Sequence, residues 1–240
     1  GRPFCKSPEG MIYFFGSRGG VYQLVPGQKP VNISEKQIPE RLNAYNADTT
    51  SIRMVWSDVE RGFYVFLTPL AGGATTNYFY DVRNQSWWPD KFATAAHNPV
   101  SVHLFDGDLA ADRTVLLGGQ DGYIRKFDYT TPGVSDDGVA IDSLVFLGPI
   151  QLKNRPKLML TSLQAAMATG SSDVDFAVYA AETAELAESA TSAVTAFTGA
   201  WSAGRNKIER RRASGHDIYV KIRNDDAAEG WAFEFLGIEV

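Results

Sequence analysis

Leu116-Leu117-Gly118-Gly119-Gln120-Asp121-Gly122-Tyr123-Ile124 is the stretch on which the fold turns. Two short apolar runs, Thr114–Leu117 and Tyr123–Phe127, flank a glycine-rich loop. Tight loops need positive φ, which glycine supplies without steric cost, so the stretch reads as a β-hairpin. A near copy lies 102 residues upstream, in Phe14-Phe15-Gly16-Ser17-Arg18-Gly19-Gly20-Val21-Tyr22. Two further hairpins lie between them. Arg53–Trp56 and Phe63–Leu67 flank a turn at residues 57–62, and Asn77–Tyr80 and Ser86–Trp88 flank Asp81–Gln85. An offset of 102 fits two repeat units of roughly 50 residues, the span of a propeller blade. At that spacing the first part of the chain supplies about three blades, fewer than a closed ring needs.

Composition agrees with strands. Aromatic residues make up 12% of the 240, with 22 glycines, and 44% hydrophobic against 21% charged residues is the balance of a folded chain. One interruption reads as helix. Ser34 offers an N-cap with Gln37 three residues on, and Pro39 suits a first turn. Ile38, Leu42 and Tyr45 then share one face of a short helix over 38–46.

After Pro132-Gly133 and Ser135-Asp136-Asp137-Gly138 the texture changes. Leu158 and Leu160, then Val174, Phe176 and Val178, then Ile218, Val220 and Ile222, then Trp231, Phe233 and Phe235 each alternate with other residues. Period two in four segments predicts an antiparallel β-sandwich, with those side chains inward and a bulge at Gly237. Residues 180–196 read equally as helix, from their Ala and Glu, or as an extended loop. The expected organisation is thus all-β: partial propeller-like blades over 1–131, a linker at 132–142 and a β-sandwich over 143–240.

The chain starts at Gly1, with its first methionine at Met11, and the reading expects a segment of a longer protein. The opening residues carry no apolar signal-peptide centre, and no apolar run reaches the length of a membrane span. The formal charge of −5 argues against general nucleic-acid binding; 13 basic and 16 acidic residues lie in 1–150, and 10 and 12 in 151–240.

Catalytic and metal signatures are sparse. The single cysteine, Cys5, is placed in a loose terminus and rules out an intrachain disulfide framework. His97, His103 and His216 share no metal-ligand spacing. Asp106, Asp108 and Asp112 cluster in one turn without the spacing of a calcium loop, and Arg113 beside them is expected to offset part of their charge. No cofactor site and no catalytic constellation is expected. The candidate contact residues are of two kinds. Arg205, Lys207, Arg210, Arg211 and Arg212 form a basic run, and Glu182, Glu185 and Glu188 belong to an acidic stretch lacking Lys and Arg. The pair reads first as two solvated faces, then as charge complementarity within the domain or between identical subunits, with phosphate binding by the basic run a weaker third reading. Trp87 and Trp88 are read as blade packing or an exposed stacking surface.

Taken in order, Val31–Ser34, Met54–Trp56, Gly62–Pro69, Thr76–Asp81 with Trp87, and then Leu116–Asp128 resemble the β-propeller of the tail nozzle, or packaged-DNA-stabilising, proteins of short-tailed bacteriophages. Gly215–Ile222 and Trp231–Val240 resemble the β-sandwich that follows it there. The resemblance implies a non-enzymatic virion protein of the tail, made in the bacterial host cytoplasm. It further implies a homo-oligomeric ring, a hexamer, with neighbouring tail or adaptor proteins as partners, and viral DNA that passes without specific binding. Two rivals stand beside it. One is a carbohydrate-binding or carbohydrate-active propeller using Trp87, Trp88 and Tyr80; the other is a receptor-binding or adaptor module of the tail.

Overall fold

The computed structural model describes residues 3–38, 42, 45–73, 75–109, 112–127, 135–154, 156–227 and 229–240. Antiparallel sheets make up nearly all of its regular structure, and one short α-helix accompanies them. The chain divides into two compact units, Gly1–Thr130 and Thr131–Val240.

The first unit is built of three consecutive up-and-down sheets. Sheet I holds β1 (Phe4–Lys6), β2 (Ile12–Phe15), β3 (Val21–Leu24) and β4 (Val31–Asn32). Sheet II holds β5 (Thr50–Ser57), β6 (Gly62–Pro69), β7 (Asn77–Asp81) and β8 (Ser86–Asp90). Sheet III holds β9 (Pro99–Phe105), β10 (Thr114–Gly119) and β11 (Ile124–Phe127). Their first strands begin 46 and 49 residues apart. All four hairpins read from the sequence form, with the expected strands paired. The two that look alike also close alike. Gly16 N donates to Gly20 O and Gly19 N to Gly16 O; Gly119 N donates to Tyr123 O and Gly122 N to Gly119 O. Matched by these bonds, the turns lie 103 residues apart, one more than the sequence alignment gives.

β5 and β6 are buried on both faces, which explains the unbroken apolar run Phe63–Leu67 of β6. One face carries Ile52, Met54, Trp56, Phe63 and Tyr80 against Cys5, Tyr13, Phe15 and Val21 of sheet I. Phe63 lies at its centre, with ring centroids 4.5 Å from Tyr13 and 5.2 Å from Tyr80. The other face sets Val55, Tyr64 and Phe66 against Val115 and Leu117 of sheet III. Side chains also bind main chain from sheet to sheet. Trp87 Nε1 donates to Ile33 O (3.2 Å), Thr68 Oγ1 to Pro99 O (2.7 Å), and both Ser51 Oγ (3.2 Å) and Arg53 Nε (2.8 Å) to Val100 O.

The helix expected over 38–46 falls largely at 39–41 and 43–44, outside the described residues. Before it, the Ser34 hydroxyl does not cap: it accepts from Val21 N (3.0 Å) and donates to Asn32 Oδ1 (3.0 Å), so it anchors β3. Part of the expected linker, 132–134, is likewise outside the described residues.

The second unit is a β-sandwich. One sheet runs β12 (Ser143–Ile150), β19 (Asp217–Asn224), β15 (Val174–Ala181), β16 (Thr195–Trp201). Opposite lie β17 (Gly204–Arg205), β14 (Ser162–Met167) and β20 (Phe233–Glu239), with the short pair β13 (Leu158–Leu160) and β18 (Ala213–Gly215). Leu158, Leu160, Val174, Phe176, Val178, Ile218, Val220 and Ile222 all enter one core, as their alternation predicts. Residues 180–196 satisfy both readings. β15 runs to Ala181, Thr183 caps the helix α1 (Ala184–Glu188) by accepting from Leu186 N, and β16 begins at Thr195. Ala184 and Ala187 pack with Tyr179 and Tyr219 on the outer face of the four-stranded sheet.

The last strand corrects the sequence reading. Phe233 and Phe235 are exposed, whereas Leu236 and Ile238 pack on the core. The cause is a bulge: Ala166 pairs with Phe235 and the next residue, Met167, with Phe233, leaving Glu234 unmatched. The extra residue shifts the alternation beyond it, so Phe235 opposes outward Ala166 while Leu236 and Ile238 oppose inward Ala165 and Leu163. Trp231, before the bulge, packs on the core as expected, and Phe233 opposes inward Met167 yet stays exposed. Gly237 is not bulged; it pairs in register with Gln164.

Candidate interaction surfaces

Trp87 and Trp88 alternate across β8 and so point to opposite faces. Trp87 is half-buried against Phe63, Tyr78 and Tyr80, and Tyr80 is itself buried. Trp88 is exposed, with its Nε1 held by Ser86 Oγ at 3.0 Å. The three aromatics therefore do not form one stacking platform, and the contact surface at β8 is Trp88 alone.

All five basic residues of 205–212 are exposed, as are Glu182, Glu185 and Glu188. Glu185 and Glu188 lie on α1, over the four-stranded sheet, and Glu182 just precedes it. The basic segment runs beside β14 of the opposite sheet, where Leu163 and Glu209 bond each other's main chain and Asn206 N bonds Ala165 O. Among the described residues no salt bridge joins the two runs. Arg211 instead meets Glu209 at 3.7 Å and lies over the Phe197 ring.

A cleft of about 520 Å³ opens at the turn end of sheets I and II, floored by Tyr13 and Trp56 and edged by Glu9, Asp58, Arg61 and Arg83. Most of these charges are engaged in the turns themselves. Asp58 accepts from Trp56 Nε1 (2.8 Å) and pairs with Arg113 (2.8 Å), and Arg83 lies 3.5 Å from Asp81. Hydrogen bonds from its own backbone and from Ser7, with Arg61 nearby, hold the Glu9 carboxyl below its usual range. Arg113 thus turns to Asp58 and not to the Asp106–Asp112 turn, which corrects the charge balance expected there. Among the described residues no group of His, Cys, Asp or Glu is arranged to hold a metal.

Asp121 and Arg125 lock the hairpin that opened the reading. The guanidinium donates to both carboxylate oxygens (2.9 and 2.7 Å), and Tyr123 N adds a third bond at 3.1 Å. The Arg125 bonds chiefly pull the Asp121 pKa down to about 2. The unfolded value is about 3.9, so this stabilisation is complete above that pH and is lost as pH falls through about 2. A carboxylate NMR titration is expected to give an Asp121 midpoint near 2, moving towards the ordinary range in Arg125→Ala.

Cys5 is not in a loose terminus. It lies on β1, paired with Tyr13 and buried between sheets I and II, and burial pushes its thiol pKa far up. The expected outcome is a Cys5 inert to Ellman's reagent at neutral pH in the folded chain and fully reactive after urea unfolding. Rapid native labelling would mean that sheet I does not stay packed on sheet II.

His97 is buried beside Thr94, its Nδ1 3.3 Å from the hydroxyl, whereas His103 is exposed on β9. The sequence reading missed the two end faces of the three-sheet stack. The face of sheet I turned away from sheet II carries Phe4, Ile12, Phe14, Tyr22 and Leu24, with Phe14 and Tyr22 stacked at 5.5 Å. The face of sheet III turned away from sheet II carries Phe105, Leu116 and Ile124 together with Ser101, His103 and Lys126. None of these belongs to a core cluster among the described residues; Phe4 is 46% exposed and Ile124 75%. Their signal was present as the alternate positions of the same hairpins. No protein-family model and no curated protein matches the chain. No helix among the described residues is long and apolar enough to cross a membrane.

Proposed function

We propose that this chain is a structural protein of a bacteriophage tail, a nozzle or hub component that forms part of the DNA conduit or its plug. The carrying observation is the stack of three up-and-down sheets whose two outer faces, among the described residues, expose large apolar side chains mixed with polar ones. Large apolar residues on both outer faces suit a stack that continues, as blades do in a propeller, and so suit a module of a larger assembly. The reading joins this to the blade-like and sandwich-like motifs of the sequence. The partners are identical subunits in a ring, a hexamer, together with neighbouring tail or adaptor proteins. The exposed acidic and basic runs, on opposite sheets of the sandwich, suit the fixing of register between subunits. DNA passes without specific binding, consistent with the overall charge of −5.

Immunogold labelling of purified virions tests the reading. An antibody to this chain is expected to decorate the tail; gold confined to the capsid, or absent from the particles, would overturn it.

A further inference from the structure

We propose that copies of this chain associate head to tail through the two end faces of the three-sheet stack, with Ser101 and His103 donating hydrogen bonds to the incoming main chain. The inference rests on the assembly reading above and adds the contact itself.

The contact between sheets II and III supplies the pattern. On β5, Ser51 Oγ and Arg53 Nε donate to one carbonyl of the next sheet's first strand, Val100 O, and Val55 fills the adjoining core. Fifty residues later, Ser101, His103 and Phe105 hold the same alternate positions on β9. The pairings agree. Ser51, Arg53 and Val55 oppose Thr68, Phe66 and Tyr64 on β6, while Ser101, His103 and Phe105 oppose Gly118, Leu116 and Thr114 on β10. A hydroxyl, a nitrogen donor and an apolar residue thus recur, now on a face that no further sheet among the described residues of the unit covers. Gly118 leaves room for this arrangement: a Cβ there would stand 2.3 Å from Ser101 Oγ.

The complementary face is on the same chain. Sheet III meets sheet II with Val102, Leu104, Val115, Leu117 and Phe127 on its three strands. The outer face of sheet I offers Phe4, Ile12, Phe14, Tyr22 and Leu24 in the corresponding strand order, with Lys6 at its edge beside Ile12. The two end faces differ, so the contact between copies is heterologous and repeats from copy to copy, closing into a ring where the rotation allows. The donors matter because a main-chain carbonyl buried without a partner opposes docking.

Sedimentation velocity on the full chain tests the proposal. Assembly is expected to grow with concentration in the micromolar range. Ile124→Asp, on the sheet III face, and Phe4→Asp, on the sheet I face, are each expected to leave monomers with unchanged circular dichroism. Mixing the two variants is expected to restore a 1:1 pair and nothing larger, because each retains the face the other has lost. Ser101→Ala with His103→Ala is expected to weaken assembly about tenfold without moving the melting temperature. A wild-type chain that stays monomeric at about 100 μM, the range of a weak specific contact, would overturn the proposal. So would assembly indifferent to all four substitutions. A labelled tail with a monomeric chain would remove this contact alone, and assembly without tail label would remove the phage reading alone.

Discussion

Trp201→Ala is expected to destabilise the second unit by about 3–5 kcal/mol, a large part of the stability of a domain of that size. Trp201 is 1% exposed, and its ring stacks on Phe176 at 4.1 Å, inside the sandwich. Truncation leaves a cavity roofed by β-sheet on both sides, which cannot collapse without breaking ladder bonds. The indole also carries a burden: its Nε1 finds no acceptor among the described residues. A buried unpaired donor costs about 1–3 kcal/mol. Trp201→Phe, which removes the donor together with part of the ring, is therefore expected to cost only about 1 kcal/mol, well below a usual loss of that volume. Hydrogen exchange read by mass spectrometry separates the units. Peptides of 143–240 should lose protection in Trp201→Ala while those of 3–127 keep it. Equal losses in Trp201→Phe and Trp201→Ala would show that the Nε1 is satisfied after all.

The second large effect falls in the other unit. Gly62 opens β6, between Ser57 on β5 and Asp81 on β7. A Cβ there would stand 2.2 Å from Tyr80 O and 2.4 Å from the Phe79 ring. Tyr80 O belongs to a strand held on both sides by β6 and β8, so it cannot give way without loss of the ladder. Gly62→Ala is expected to cost about 3 kcal/mol or more by overpacking alone. Gly170→Ala is the control: nothing lies within 4 Å of the added methyl, and stability should change by less than about 0.5 kcal/mol. Urea unfolding of both variants checks the pair. A near-neutral Gly62→Ala would mean that β6 and β7 do not approach as closely as drawn.

What the sequence reveals and what it hides can be told residue by residue. The hairpins at Gly16–Gly20 and Gly119–Gly122 are legible because positive φ demands glycine, and their flanks alternate cleanly. The core of the sandwich is legible because Val174, Phe176 and Val178 keep period two against one buried face. β14 is harder to see: Leu163, Ala165 and Met167 face inward, but Ala is a weak strand signal. β20 was misread for a different reason. The bulge at Glu234 exists only through its pairing with β14, and a partner strand is invisible along one chain. The Thr183 cap of α1 is hard to see in the sequence because Leu186 stands three residues on, where a capping box carries Glu or Gln.

For the contact surfaces, exposure of the charged runs follows from composition, and the opposite facing of Trp87 and Trp88 follows from strand alternation. Which outer faces lack a partner does not. That depends on how three sheets stack, and Ile124 or Phe14 reads as an ordinary strand residue until the stack ends beside it.

Cryo-electron microscopy of the virion tests the central claim most directly. The account predicts that three up-and-down sheets followed by a β-sandwich can be placed in tail density, in copies repeated round the tail axis, with both ends of the three-sheet stack covered. Tail density fully explained by other proteins, with this chain absent from complete and infectious particles, would contradict it.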